Sequence, residues 1–261
     1  MIDSYPIADA KPGAIDFLKV PIHPVRGPEE VHQYICKVIQ SGQKAILYNL
    51  NIHAFNISFK EPWFLEFIQK TNLVFIDGDG VRWGLKLLGQ APPPKMSTTR
   101  WIWQLAEFCA QNGYSLFLLG AKPGTAEAAA KCLQNKFPGL RIAGTQDGYF
   151  QKTGDENERV VAKINSVKPD ILLTCFGMPA QEKWISENWN KIHAHIFIKG
   201  GAVMDYVTGR LGEAPKWILK IQMEWLFRVF EEPYRLLGRY LHDIPCFFYH
   251  VLCEKFRGRS T

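Results

Sequence analysis

The feature that most constrains the fold is a repeated junction, in which a short apolar run ends in glycine or aspartate and a helical pattern follows at once. Its clearest instance is residues 168–184, KPDILLTCFGMPAQEKW. Residues 171–176 have strand length, opened by Pro169 and Asp170 and closed by Gly177. Pro179 suits a first helical turn, and Gln181, Glu182, Lys183 and Trp184 begin a helical pattern. A buried strand feeding a helix through a tight turn is the unit of α/β sheets, whose ligands gather at the carboxyl ends of the strands. Gln181 is therefore expected near a helix start, facing the crevice.

The junction recurs along the chain. The pattern predicts strands over residues 44–50, 73–76, 116–119, 140–145 and 195–198. Helices are predicted over 27–42, 51–70, 81–88, 98–111, 125–137 and 156–167, with Ser97 able to cap the fourth. Ala91 to Lys95 (APPPK) breaks the chain between two of them. Strands alternating with helices imply a Rossmann-like α/β fold, a mostly parallel sheet covered by helices on both faces. Residues 1–17 read as a loose leader. The division expected is an α/β core over 1–209, in parts of about 18–112 and 113–209, and a helical appendage over 210–261.

Composition narrows the class. A chain of 261 residues that is 47% hydrophobic and 21% charged is an ordinary globular protein with ample core. A net charge of +6 is too weak to argue for nucleic acid. The six cysteines form no C-x-x-C pair and sit mostly in apolar segments, which favours reduced thiols over disulfides or zinc. The N-terminus lacks the basic start and apolar run of a signal peptide, and no run reaches the roughly 18 apolar residues of a membrane span. The expectation is a cytoplasmic protein that can still touch a membrane.

After Gly209 only helical signals remain. Residues 210–261 hold nine Lys/Arg against six Asp/Glu, and ten aromatic residues. Arg228, Arg235 and Arg239 lie among Trp225, Phe227, Phe230, Tyr234 and Tyr240. Basic, aromatic, amphipathic helices suit an anionic bilayer surface, and equally a helical pair packed on the core.

Several stretches carry candidate chemistry. Gly120-x-x-x-Gly124 follows a strand and opens a helix, so its N–H groups can face an anion such as a pyrophosphate; it can also be a plain βα turn. Asp77 and Asp79 spell D-x-D, which reads as a pair of metal ligands, as a single general base at Asp77, or as turn chemistry. Asn49 and Asn51 flank a strand end, where an amide binds a sugar hydroxyl or uracil, or caps the next helix. His53 reads as a structural partner. Ser-His-Asp spacing, H-E-x-x-H and paired C-x-x-C are all missing from the sequence.

Taken together these stretches resemble the WecG/TagA/CpsF family, glycosyltransferase family 26, from about residue 20 to 241. The blocks that carry the resemblance are NLNIH (49–53), DGDGV (77–81), FLLGAKPG (117–124), DGYF (147–150), PDILL (169–173), GMPAQEKW (177–184) and GGAVMDYVTGR (200–210). The tail adds APKW (214–217), EWLFR (224–228), EPYR (232–235) and RYL (239–241). The resemblance implies an inverting, metal-independent transfer of a sugar from a UDP-sugar to an undecaprenyl-diphosphate-linked acceptor at the cytoplasmic membrane, with no cofactor. It implies Asp77 as the base, with Gln181 and the appendage arginines Arg228 and Arg235 also catalytic, and Asn51 and Arg239 binding the substrates. Asn49 and the glycines Gly78, Gly120, Gly124, Gly177, Gly200 and Gly201 are expected to bind substrate. The implied partners are the two substrates and an anionic membrane surface; a homo-oligomer stays open.

The chain departs from the family pattern in places. Asn49 stands where threonine is common. Lys95, Thr98 and Arg100 occupy an R-x-x-G-x-D block, and Glu213 replaces an arginine. The donor sugar is therefore open between N-acetylmannosamine, glucosyl, galactosyl and uronic-acid types. Two other classes remain: a Rossmann-type dehydrogenase or methyltransferase, which would lack its G-x-G-x-x-G, and a non-catalytic membrane-bound scaffold of the same fold.

Overall fold

Strands buried along their whole length have no wet face, so they pair in parallel and take helices on both sides. The computed structural model, which describes residues 13–257, has this arrangement. Six strands, β3 (Ala45–Leu50), β4 (Leu73–Ile76), β5 (Ser115–Gly120), β6 (Arg141–Gln146), β7 (Ile171–Cys175) and β8 (Ile196–Lys199), form one all-parallel sheet in the order β4-β3-β8-β7-β5-β6. All but the edge strand β6 are buried at every position.

The side chains alternate between two cores. Tyr48, Leu50, Phe117, Leu172 and Phe197 face α2 (Ile52–Lys60), α3 (Pro62–Gln69), α7 (Gly154–Val167) and α8 (Ala180–Asn188). Leu47, Phe75, Leu118, Leu173 and Ile198 face α1 (Pro28–Gln40), α5 (Thr98–Asn112), α6 (Thr125–Lys136) and α9 (Val203–Val207). Beyond α9 come α10 (Lys216–Lys220), α11 (Glu224–Glu231) and α12 (Pro233–Arg257). Helix α12 runs back across α2 and α4 (Asp79–Leu87), and its Phe247 joins the first core against Phe17 and Phe55.

The expected α/β class is borne out, with three local corrections. Ile15–Phe17 is not loose: it forms β1, paired antiparallel with β2 (Val20–Ile22), and Phe17 is fully buried. The rest of the expected leader, residues 1–12, lies outside the described residues. The helix expected over 51–70 is two helices, because Pro62 has no N–H to continue α2 and instead starts α3 after an extended Glu61. Lys199, read as lying past the last strand, is its final residue. Among the described residues no helix is long and apolar enough to cross a membrane.

Candidate active site

In a parallel sheet all carboxyl ends lie on one edge, and here that edge floors a cavity of about 820 Å³, within the roughly 300–1,000 Å³ of ligand sites. Its lining includes Asn49 and Asn51 from the end of β3, Asp77 after β4, Gly177 after β7, and Lys199, Gly200 and Gly201 at the end of β8. Gln181 enters from α8, and Arg228, Arg235 and Arg239 enter from α11 and α12. Residues up to 190 positions apart in sequence thus meet at one place. A second, more apolar pocket of about 220 Å³ adjoins it, lined by Trp83, Trp225, Tyr240 and Phe248. Asn51, His53, Asp77, Arg228 and Arg239 border both. A groove of about 920 Å³ elsewhere, between the β1–β2 turn and the ends of α4 and α12, contains none of the strand-end residues.

Asp77 continues the β3–β4 ladder, its N–H donating to the Leu50 carbonyl at 2.8 Å, so its position is set by the sheet. Burial pushes its carboxyl above the usual range, tempered by the positive charges of Arg228 and then Lys199. Gly78 follows with φ 103° and borders the smaller pocket. Asp79, the second carboxylate of the D-x-D, is buried and engaged by Lys95 and by Arg82 at 3.3 Å.

The amides divide by role. Asn51 is the N-cap of α2, its Oδ1 accepting from the Ala54 N–H at 3.0 Å. Asn49 is buried; its Nδ2 donates to Thr98 Oγ1 and to the Lys199 carbonyl at 3.1 Å, and its Oδ1 has no partner. Gln181 is fully buried, its Nε2 donating to Glu182 Oε1 at 3.2 Å while its Oε1 is also without a partner. Unpartnered buried acceptors on a cavity wall are the feature expected of a site that receives hydroxyl or amide donors.

The glycines fall in two sets. Gly177, Gly200 and Gly201 line the large cavity. Gly120 and Gly124 lie in the turn behind it, where Ala121 and Lys122 form the lining. Gly120 and Gly200 bracket Cys175: a Cβ would come within 2.5 Å of the Cys175 carbonyl oxygen at the first and 2.4 Å of its Sγ at the second. Both glycines are therefore needed for close packing of the strand ends.

Two of the appendage arginines, Arg228 and Arg235, are held by carboxylates. Arg228 donates to Glu224 Oε1 at 2.9 Å and lies 5.4 Å from the Tyr206 ring centroid; burial opposes its charge, but Tyr206, Glu224 and Asp77 hold its pKa above the usual value. Arg235 is paired with Glu232, and Arg239 lies over Tyr240. Glu224 also receives Arg100 at 3.2 Å and Lys95 at 3.7 Å, so two of the departures from the family pattern join the core to α11. Glu213 is exposed in the loop before α10. His53 hydrogen-bonds Asp243 of α12 at 2.7 Å, a second tie to the appendage. Burial alone would raise the Asp243 carboxyl, but hydrogen bonds with His53, His242 and Asn56 bring it below its usual range.

Sequence reasoning missed Lys199. Its signal was a lysine directly after the apolar run Ile196 to Ile198 and directly before Gly200-Gly201, where a strand end meets a turn. It also missed Arg210, which bonds Thr125 Oγ1 at 3.0 Å, and Tyr206, both on the wall of the large cavity.

The sequence matches the family model described as Glycosyl transferase WecG/TagA/CpsF family over residues 15–261. Among named relatives, N-acetylglucosaminyldiphosphoundecaprenol N-acetyl-beta-D-mannosaminyltransferase of Staphylococcus aureus strain MRSA252 is 27% identical over 216 residues, 83% of each chain. The proteins of that name from strains MW2 and NCTC 8325 show the same identity and coverage. A match over nearly the whole chain, on a fold whose strand ends gather the motif residues in one cavity, makes this protein a glycosyltransferase of the WecG/TagA/CpsF family.

Proposed function

We propose that the protein transfers a sugar from a UDP-sugar to an undecaprenyl-diphosphate-linked saccharide, with inversion at the anomeric carbon and without a metal, in the synthesis of a cell-surface polymer. The observation that carries this reading is the position of Asp77, a half-buried carboxylate on the border between a large polar cavity and a smaller apolar one. The large cavity, with its unpartnered amide oxygens, suits the donor; the smaller one, walled by aromatic side chains of α4, α11 and α12, suits the acceptor. The relatives' printed name, a transferase acting on a diphosphoundecaprenol-linked sugar, supports this choice of acceptor.

In the proposed step the acceptor hydroxyl oxygen bonds to the anomeric carbon, and the bond from that carbon to the β-phosphate oxygen breaks. The hydroxyl proton passes to Asp77, and the electron pair leaves with UDP. General-base assistance of this kind contributes roughly 10²–10⁴-fold. Negative charge on the leaving diphosphate is met by cations of the cavity wall, Arg228 among them. Asp79 is unsuited to sharing a metal with Asp77, since Lys95 and Arg82 occupy its carboxylate.

The exposed face of α10 to α12 supports membrane contact. Trp217, Ile221, Phe230, Tyr234 and Leu241 are each more than half exposed, in the same helical segment that carries Arg235 and Arg239. Such a face suits docking on an anionic bilayer from the cytoplasmic side, where the lipid-linked acceptor would be met. The test is UDP release from a panel of UDP-sugars, with a short-chain lipid-diphosphate sugar as acceptor and EDTA present. Acceptor-dependent release from one donor is expected and names the sugar. Release that appears only on adding manganese would overturn the metal-free reading, and absence of release under both conditions would overturn the transfer itself.

A further inference from the structure

Lys199 is 3% exposed, at the end of the central strand β8, yet it lines the large cavity. Its ammonium donates to the Asn49 carbonyl at 2.8 Å, touches Met178 Sδ at 3.4 Å and lies 4.5 Å from the Tyr48 ring centroid. Among the described residues no carboxylate comes within 4 Å of it. Glu182, from α8 below, spends one oxygen on Tyr48 and Gln181 and leaves the other unpartnered.

Three of the four arginines on the same cavity differ; the fourth, Arg239, lies over Tyr240 and has no ion-pair partner among the described residues. Arg228 is neutralised by Glu224, Arg235 by Glu232 and Arg210 by Asp205 at 3.5 Å. A buried cation without a close counter-ion is costly and persists where something offsets that cost. Beside it the buried oxygens Asn49 Oδ1 and Gln181 Oε1 have no partner, so this part of the floor is incomplete for hydrogen-bond donors as well as for an anion.

We propose that Lys199 binds the diphosphate of the donor at the floor of the large cavity and stabilises the leaving UDP. The proposal rests on the reading of that cavity as a UDP-sugar site and adds the residue that holds the departing group. As the bond between the anomeric carbon and the β-phosphate oxygen breaks, the electron pair moves onto that oxygen, and the Lys199 ammonium is already in place to meet it. The cation needs no rearrangement at that moment, because the strand and the Asn49 carbonyl fix it. Arg228 and Arg235 exchange their carboxylate partners for phosphate only at a cost; Lys199 has no such partner to give up.

The titration of the group agrees. Burial pushes the ammonium down to about 8, against the pull of Glu182 and Asp77, with Arg239 adding to the depression. The groups facing it are Glu182 of α8, Asp77 after β4, Arg239 of α12 and Tyr48 of β3. A folded-state value below the unfolded one means that the charged lysine costs stability below about pH 8. Replacing it should therefore stabilise the empty protein rather than weaken it.

The experiment is calorimetric titration of the full-length protein and Lys199→Met with UDP and with uridine, in EDTA, together with melting of each unliganded protein. Expected are a loss of UDP affinity of roughly 10- to 100-fold in the variant, in line with hydrogen bonds to charged groups, unchanged uridine affinity, and a melting temperature at or above wild type. UDP affinity of the wild type should also weaken as pH rises past about 8, and that of the variant should not. Should Lys199→Met fail to fold, Lys199→Met with Glu182→Gln removes both buried charges and is held to the same affinities. Equal UDP affinity in wild type and variant overturns the proposal while leaving the cavity a nucleotide site. Failure of the wild type to bind UDP overturns both.

Discussion

The floor of the candidate site and its helical wall are built on opposite principles. The floor is the carboxyl edge of strands buried at every residue, so Asn49, Asp77 and Lys199 take their positions from the β ladder. The wall, α10 to α12, buries little: α10 has no buried residue, α11 has Val229, and α12 has four, of which Asp243 is an ion-pair partner. It is joined to the core by Glu224 to Arg100 and Lys95, by Asp243 to His53, and by Phe247 in the first core. Burial is non-directional and insensitive to a charged ligand, whereas ion pairs are directional and compete with one. The difference is that the floor is held by burial and the wall largely by ion pairs.

The comparison breaks most severely at the floor's supports. Trp184, 1% exposed and donating to Asn157 Oδ1 at 2.7 Å, carries α8 into the first core. Trp184→Ala should destabilise the protein by about 3–5 kcal/mol, read as a lowered denaturant midpoint. An effect near zero would mean that the floor is not held by burial. In the wall, Glu224→Ala leaves Arg228, Arg100 and Lys95 facing one another. The expected cost is about 1–3 kcal/mol, expressed as faster proteolysis within residues 210–257 while the main unfolding transition moves less. Asn51→Ala removes the cap of α2 and should cost about 1 kcal/mol, a loss measurable in the same denaturation series.

The mildest change in stability is expected on the outer face. Tyr234→Ser, Leu237→Ser and Leu241→Ser together alter side chains that are 105%, 48% and 68% exposed. Stability should stay within about 0.5 kcal/mol of wild type, while sedimentation with anionic vesicles falls sharply. Unchanged vesicle binding would place membrane contact elsewhere on the protein.

The same contrast governs what the sequence discloses. Residues 171–175 could be read as a strand because a fully buried strand is a continuous apolar run. Asp77 and Gln181 could be placed because such runs end where helices start. β1 was not legible, since three residues, Ile15–Phe17, carry too little periodicity, and its burial depends on Phe247 more than two hundred positions away. Lys95 and Arg100 were visible only as departures; that they reach Glu224 depends on how α11 crosses the core. Lys199 stood in plain view, but a lysine after an apolar run is ordinarily a strand end reaching solvent, and only the neighbouring strands enclose it.

The measurement that bears most directly on the account is acceptor-dependent UDP release by Asp77→Asn beside wild type, across pH. Asp77 works as a base only when ionised, and burial raises its carboxyl, so wild-type turnover should fall as pH drops through that raised value and level off above it. A carboxyl whose folded pKa lies above its unfolded value contributes stability only at low pH, and loses that contribution as pH rises through the folded value. The asparagine variant should therefore melt no lower than wild type at neutral pH. The account predicts a loss of turnover of roughly 10²–10⁴-fold with UDP affinity kept and the acid limb gone. Near-normal transfer by Asp77→Asn, with the acid limb intact, would contradict it.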